Sequence, residues 1–289
     1  MDSTRQAETA RPTRDIADAL RDIALECDKV TKIFKPPRGT TAPVIALHET
    51  SFTVRDGEFI CLLGPSGCGK STGINMVAGF EAPTAGRITL DGREIDGPAG
   101  DRGVVFQEES LYPWLTLREN VEFGLRLRGV HRAKRQKAAD HYLELVDLSH
   151  SVNAFPDQLS GGMKQRGAIA RALATEPRML LMDEPFGALD ILTRETLQDV
   201  VLRIWLDTRK TILFVTHSIE ESVLLADRIL VFTGRPGHLA EIVDVDLGRP
   251  RSRGDRRFVE LTDRLRSTLL GDVRRMEMAL ASERAPQSH

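Results

Sequence analysis

A chain of 289 residues, 41% hydrophobic and 28% charged, is long enough for one large domain, or for one domain with a subdomain and tails. Lys and Arg number 40 against 42 Asp and Glu, a formal charge of −2, so there is no global basic excess to mark a nucleic-acid binder. The three cysteines, Cys27, Cys61 and Cys68, lack CxxC spacing, which argues against a disulfide framework or a zinc site and for a reducing compartment.

In chain order, the polar stretch MDSTRQAETARPTRD opens a tail expected over 1–22 and lacks the apolar segment of a secretory signal. ALECDKVTKIF (24–34) has strand character, and PPRGTTAP (36–43) is a loop by its Pro and Gly content. ETSFTVRDGEFICLLG (49–64) alternates and then turns wholly apolar, with a tight turn at Asp56-Gly57; the run FICLL predicts a buried central strand. A helix is expected from Lys70 to Ala78, a hairpin around Asp91-Gly92 within 86–95, and a short strand at 102–107. Residues 116–175 hold almost no strand signal but three helical patterns, at 116–127, 133–146 and 162–174. Apolar strands ending in polar residues follow at 178–185 and 210–217, separated by a helix over 189–207; strands at 227–233 and 239–247 close the sheet region. Arg249, Arg251, Arg253, Arg256 and Arg257 stand among Gly, Ser, Pro and Asp and read as a solvated loop, before an amphipathic helix over 255–282. No apolar run approaches the ~20 residues of a membrane span, so a soluble cytosolic chain is expected, meeting a membrane only by docking. The sum is an α/β core interrupted by a helical insertion, whose parallel strands carry polar motifs at their carboxyl ends.

Those motifs hold the chemistry. Gly64-Pro65-Ser66-Gly67-Cys68-Gly69-Lys70-Ser71-Thr72 fits the phosphate-cradling pattern G-x4-G-K-[ST] between a buried strand and a helix. Its glycines let backbone N–H groups approach phosphate oxygens, Lys70 is placed to reach the β- and γ-phosphates, and Ser71 to ligate Mg²⁺. Cys68 is either a small residue that fits the loop or a thiol acidified by the adjacent helix N-terminus and open to alkylation. Asp183 and Glu184 end a buried strand: Asp183 suits a Mg²⁺ carboxylate, and Glu184, pointing elsewhere, a general base for water. His217 and Gln107 end two further strands that converge on the same place, and a neutral amide at Gln107 binds Mg²⁺ or water without adding charge. LSGGMKQRGAIARALA (159–174) places Ser160, Gly161 and Gly162 at a second helix N-terminus suited to phosphate, although the chain already holds one cradle.

In this order, these residues resemble the ATP-binding subunit of an ABC transporter over residues 24–250. The resemblance rests on the phosphate loop 64–71, Gln107, the signature Leu159-Ser160-Gly161-Gly162-Met163, Asp183-Glu184, Ala188-Leu189-Asp190 and His217. FQEESLYPWLTLRENVEFGL (106–125), DEPFGALDILTRETLQ (183–198) and FTGRPGHLAEIVDVDL (232–247) resemble, more narrowly, importers of the nitrate, sulfonate and taurine type. What the resemblance implies is a P-loop NTPase core over 23–250 with an antiparallel β subdomain, an inserted α-helical subdomain at 108–175, and a helical extension over 251–289 too short for a regulatory domain. It further implies ATP and Mg²⁺ as cofactors, with Ser71, Gln107 and Asp183 on the metal, Glu184, His217, Lys70 and Gln107 in catalysis, and Phe34 stacking on adenine. Two copies would sandwich two nucleotides, each chain lending Ser160 and Gly162 to the other's site and Asp190 linking the sites across the interface. The implied partners are two integral-membrane permease subunits, met near Gln107 and Trp114, and indirectly a solute-binding protein, with no nucleic acid, on the cytoplasmic face of the inner membrane. A soluble ABC-type ATPase of DNA repair or translation would carry coiled-coil insertions or a second nucleotide domain. A non-hydrolysing scaffold would not need Glu184 and His217, and a P-loop kinase has no use for LSGGM. Gly73, Gly167 and Ser218 depart from the usual pattern: the first two sit inside helices, and Ser218 stands where Asp usually follows the histidine.

Overall fold

The computed structural model describes residues 22–36, 42–107 and 110–284; the expected N-terminal tail, apart from Asp22, lies outside them, as does most of the 36–43 loop. The chain begins with β1 (Ile23–Phe34), β2 (Val44–Arg55) and β3 (Phe59–Leu63), then α1 (Lys70–Ala78), β4 (Ala85–Leu90), β5 (Arg93–Glu94) and β6 (Arg102–Val105). Next come α2 (Leu117–Leu127), α3 (Arg132–Leu145) and α4 (Gly161–Ala174), with two 3₁₀ turns between the last two. The rest is β7 (Met179–Asp183), α5 (Ile191–Thr208), β8 (Thr211–Thr216), α6 (Ile219–Leu225), β9 (Arg228–Thr233), β10 (His238–Asp244) and α7 (Arg256–Arg284).

Two sheets form. One is a four-stranded antiparallel sheet in the order β2-β1-β4-β5; the other has six strands in the order β10-β9-β3-β8-β7-β6. Within the second, β9, β3, β8, β7 and β6 run parallel and only β10 is antiparallel, against β9. The run FICLL is buried at every position, as a parallel strand covered on both faces must be. Its alternate side chains serve two cores. Phe59, Cys61 and Leu63 face one cluster with α4, α5 and α6; Ile60 and Leu62 face another with α1 and the antiparallel sheet. The core is therefore an α/β layer with an antiparallel β subdomain on one side and α2–α4 as a helical subdomain.

The helical subdomain begins with a capping box. The Thr116 hydroxyl accepts from Glu119 N while Glu119 accepts from Thr116 N, a device whose cap contributes about 1 kcal/mol. Leu117 and Val121 are then wholly buried against α4. Gly167 in α4 is explained by that contact, since a Cβ there would lie 2.6 Å from Leu117 Cδ1. Gly124 in α2 likewise leaves room for Thr175 Cγ2. Ser218 serves as the N-cap of α6, accepting from Glu221 N at 3.3 Å.

Two expectations change. The second strand begins at Val44, five residues before its alternation becomes clear, because pairing with β1 (Phe34 with Val44, Ile33 with Ile45) recruits residues whose own pattern is irregular. The arginines after β10 are not all in a solvated loop. Arg249 donates to the carbonyls of Leu224 (3.4 Å) and Leu225 (2.7 Å) and to Asp227 (2.8 Å), with its guanidinium 4.5 Å from the Trp205 ring centroid. Arg251 donates to the carbonyls of Val223, Leu224, Val245, Ala226 and Leu247. Both therefore satisfy the carbonyl end of α6, where positive charge also meets the negative pole of the helix. Burial, with Arg249 beside it, pushes the Arg251 guanidinium down to about 10. Arg256 and Arg257 are exposed, in the first turn of α7.

Candidate functional site

The carboxyl ends of four adjacent strands, β3, β8, β7 and β6, bring the sequence-selected groups together. A cleft of about 550 Å³ opens there, a size typical of small-molecule sites. It is lined by Ser66, Gly67, Gly69, Lys70, Ser71, Thr72, Gln107 and Glu184 and, on its other wall, by Val44, Ile45, Ala46, Arg235 and Pro236.

The loop after β3 closes on itself. Gly67 and Gly69 take φ of +82° and +86°, left-handed values that cost a side chain dearly, and Gly69 leads directly into α1. Lys70 is 4% exposed and donates to the carbonyl oxygens of Gly64 (2.8 Å) and Pro65 (2.9 Å). Gly64 must lack a side chain, because a Cβ there would sit 2.2 Å from the Phe232 carbonyl oxygen. Cys68 is buried rather than accessible, which overturns the reading of an acidified, alkylatable thiol. Burial is the main effect and raises its pKa; the nearby Lys70 charge acts the other way without prevailing. The reading as a small residue that fits the loop stands.

Asp183 and Glu184 diverge as a strand end requires. Ser71 Oγ donates to Asp183 Oδ1 at 3.2 Å. Burial raises the Asp183 carboxyl, the Ser71 hydroxyl opposes this, and the Glu184 charge adds to the rise. A carboxylate so desolvated, with the hydroxyl of the cleft-lining Ser71 turned on it and the Gln107 amide lining that cleft, is a donor set of the oxygen type that Mg²⁺ takes. Glu184 adopts φ of +44°, a left-handed conformation uncommon outside glycine. This turn carries its carboxylate away from Asp183. Oε1 lies 4.0 Å from Lys70 Nζ, and Oε2 meets His217 Nδ1 at 3.0 Å. Gln107 lines the same cleft and packs on Gly187, its Nε2 standing 3.0 Å from where a Cβ would be. His217 is half exposed, so one side of its ring faces solvent beside Glu184.

Other selected residues lie outside the cleft. Ser160, Gly161 and Gly162 open α4, with the Ser160 hydroxyl accepting from Met163 N at 3.4 Å, and none of the three lines the cleft. Gly162 packs so tightly on α5 that a Cβ would meet Thr193 Cγ2 at 2.3 Å. Asp190 caps α5, accepting from Thr193 N at 3.1 Å, and the Thr193 contacts hold its carboxyl below the usual range. Phe34 ends β1 half buried with Lys32 Nζ over its ring at 4.9 Å; the cleft wall is formed instead by its strand neighbours Val44 and Ile45. Neither of these, nor Arg235, stands out in the sequence. Arg235 sits on the β9–β10 loop, donates to the Ser66 carbonyl at 2.8 Å and lies against Gly67. The only signal for it is the Gly-Arg-Pro-Gly turn. Trp114 is 70% exposed and is no part of the helical core.

Comparison with known proteins places the chain in a family. The family described as ABC transporter matches residues 47–187. A taurine import ATP-binding protein of Pelagibacter ubique is 48% identical over 236 residues, covering 82% of this chain and 88% of the relative. The chain belongs to the ABC transporter ATP-binding family. A nitrate import ATP-binding protein of Synechococcus elongatus is 47% identical to the cassette over 232 residues, 79% of this chain and 84% of the relative. In three dimensions, a dimeric ATP-binding cassette solved in a post-hydrolysis state with ADP and Pi matches with a TM-score of 0.66 and 32% identity, over 78% of this chain and all of that one. The cassette is thus an ATPase subunit of a transporter, on a P-loop core with antiparallel β and α-helical subdomains. No helix among the described residues is long and apolar enough to cross a membrane.

Proposed function

We propose that the cassette hydrolyses ATP as one of two identical copies and thereby drives uptake of a small oxyanion or sulfonate, such as taurine or nitrate, through separate permease subunits at the cytoplasmic face of the membrane. The observation that carries this is Glu184, whose carboxylate stands between Lys70 (4.0 Å) and His217 (3.0 Å) at the mouth of the phosphate-loop cleft. Backbone N–H groups of 66–72 and the Lys70 ammonium hold the phosphates, and the adenine base lies against the Val44–Ile45 wall beside Phe34. Lys70 exchanges two carbonyl acceptors for phosphate oxygens, a replacement of neutral by charged acceptors.

Glu184 takes the proton of the attacking water, and His217 holds that carboxylate in place while its exposed side faces the terminal phosphate. Ser71, Asp183 and Gln107 would hold Mg²⁺, which when bound would neutralise charge on the phosphate oxygens. Positioning and charge stabilisation then account for most of the rate, since phosphoryl transfer asks little covalent chemistry of the protein. Ser160 and Gly162 lie outside their own cleft, which supports their use in the partner copy, and Asp190 lies beside them on α5. The exposed Trp114, its ring tilted against that of Tyr112 at 5.6 Å, forms part of the surface that meets the permease. The solute rests on the likeness to the taurine and nitrate relatives.

The test is Glu184→Gln, which keeps the shape and removes the base. ATP binding should persist while turnover falls about 10²–10⁴-fold, the usual contribution of a general base. Wild-type turnover in this variant would refute the role. Uptake of labelled taurine and nitrate in a strain lacking the chain decides the solute.

A further inference from the structure

Beneath His217 lies a polar cluster that the hydrolytic reading does not use. Glu221 (7% exposed), Gln198 (3%) and Thr216 (2%) are buried, although two are far apart in sequence. Thr216 Oγ1 donates to Glu221 Oε2 at 2.6 Å and accepts from Ser218 N at 3.0 Å, so one hydroxyl ties the residues on both sides of His217. The second Glu221 oxygen accepts from Gln198 Nε2 at 3.3 Å and lies 3.9 Å from Arg194 Nε, a buried nitrogen with no hydrogen-bond partner among the described residues. Arg194 in turn donates to the Leu189 carbonyl at 3.0 Å, one residue before Asp190. One carboxylate therefore connects the strand end that carries His217 to the loop that precedes α5.

The cluster also reaches outward through Gln198. Gln198 Oε1 accepts from Arg253 Nη2 at 2.7 Å, and the Gln198 amide is oriented by having a carboxylate at one end and a guanidinium at the other. Arg253 belongs to the segment after β10, which Arg249 and Arg251 fasten to the carbonyl end of α6. That same helix begins at Ser218, immediately after His217, and carries Glu221. Glu195 (3.5 Å) and Glu220 (3.9 Å) flank Arg253 and hold it over Gln198.

We infer that Glu221 is a positioning residue for His217, and that Arg253, acting through Gln198, gives the segment after the cassette core control over the turnover rate of the site. The inference rests on the hydrolytic reading above. A buried, connected network of this kind has few alternative arrangements, because every displaced member leaves an unpaired polar group. Removing its outer anchor lets Gln198 rotate, and Glu221 then loses the donor that fixes its second oxygen. His217 shifts with Thr216, and a displacement of ~1 Å in a positioning group is enough to slow turnover up to about 10²-fold. Nucleotide binding is untouched, since neither residue lines the cleft.

The full chain, purified, is compared as wild type, Arg253→Ala, Arg253→Lys, Glu221→Gln and Glu184→Gln for kcat, KM for ATP and thermal unfolding. Arg253→Ala should lower kcat about tenfold or more with KM within about twofold, and Arg253→Lys should recover part of it. Glu221→Gln keeps the acceptor for Thr216 but removes the charge facing Arg194, and should lower kcat likewise. Arg253 is 41% exposed, so its truncation leaves the core intact. Unchanged kcat in both Arg253→Ala and Glu221→Gln overturns the inference, as does a loss of kcat matched by an equal loss of ATP affinity or by early unfolding. Wild-type turnover in Glu184→Gln would instead remove the hydrolytic reading itself.

Discussion

Gly73 and Gly167 both occupy helix interiors, yet alanine should act on them with opposite sign. In α1, Gly73 donates its N–H to the Gly69 carbonyl at 2.8 Å in ordinary helical geometry, and the nearest heavy atom to an added Cβ is Leu62 Cδ2 at 3.9 Å. That is normal van der Waals contact, so Gly73→Ala should keep the full helical preference of alanine, about 0.5–1 kcal/mol. For a chain of this size the gain raises the unfolding temperature by about 1–3 °C. In α4 the same preference is opposed by contact. The added Cβ would stand 2.6 Å from Leu117 Cδ1 and 3.4 Å from Leu111 Cδ1, and Leu117 is wholly buried, so its neighbours must repack for it to move. Overpacking of this kind costs about 1–3 kcal/mol, which offsets the helical gain and leaves a net loss of up to about 2.5 kcal/mol. Urea unfolding of the two variants beside wild type measures both. A stabilised Gly167→Ala, or a destabilised Gly73→Ala, would refute the packing argument.

Cys68, with its thiol buried and its pKa raised by that burial, should resist iodoacetamide in the folded chain at pH 8, and ATP should make no difference. A raised pKa means less thiolate at any pH below it, so the sign is toward inertness; labelling at the rate of a free thiol would show the loop to be open. Ser160→Arg should leave ATP binding to a single copy close to wild type and abolish ATP-dependent dimerisation, measured by equilibrium nucleotide titration and by sedimentation in the Glu184→Gln background. Loss of binding to the single copy would mean that Ser160 serves its own cleft.

Much of the architecture and the site is written in local chemistry. FICLL, the apolar strands before Asp183 and His217, and the glycines around Lys70 are recognisable because periodicity and residue type act over a few positions. Gln107, Asp183, Glu184 and His217 are legible for the same reason: each is a polar residue at the end of a strand that must be buried. Properties set by distant neighbours are not. Arg249 and Arg251 look solvated until α6 ends beneath them, and Cys68 admits two readings until the loop folds it inward between Gly64 and Lys70. Val44 and Ile45 join the cleft wall only because β2 pairs with β1, which leaves Phe34 beside that wall rather than on it.

The sequence by itself determined the order of strands and helices, the phosphate cradle and the polar side chains that end the central strands, since each depends on residues close in the chain. The tertiary structure alone decided which of the two cradles shares a cleft with Glu184, and why Gly167 interrupts α4. It also decided that a glutamate after the histidine is wired through Gln198 to an arginine 32 positions further on. Those outcomes depend on side chains that meet only after the sheet has ordered its strands, and no local pattern encodes a contact between residues that the chain itself keeps apart.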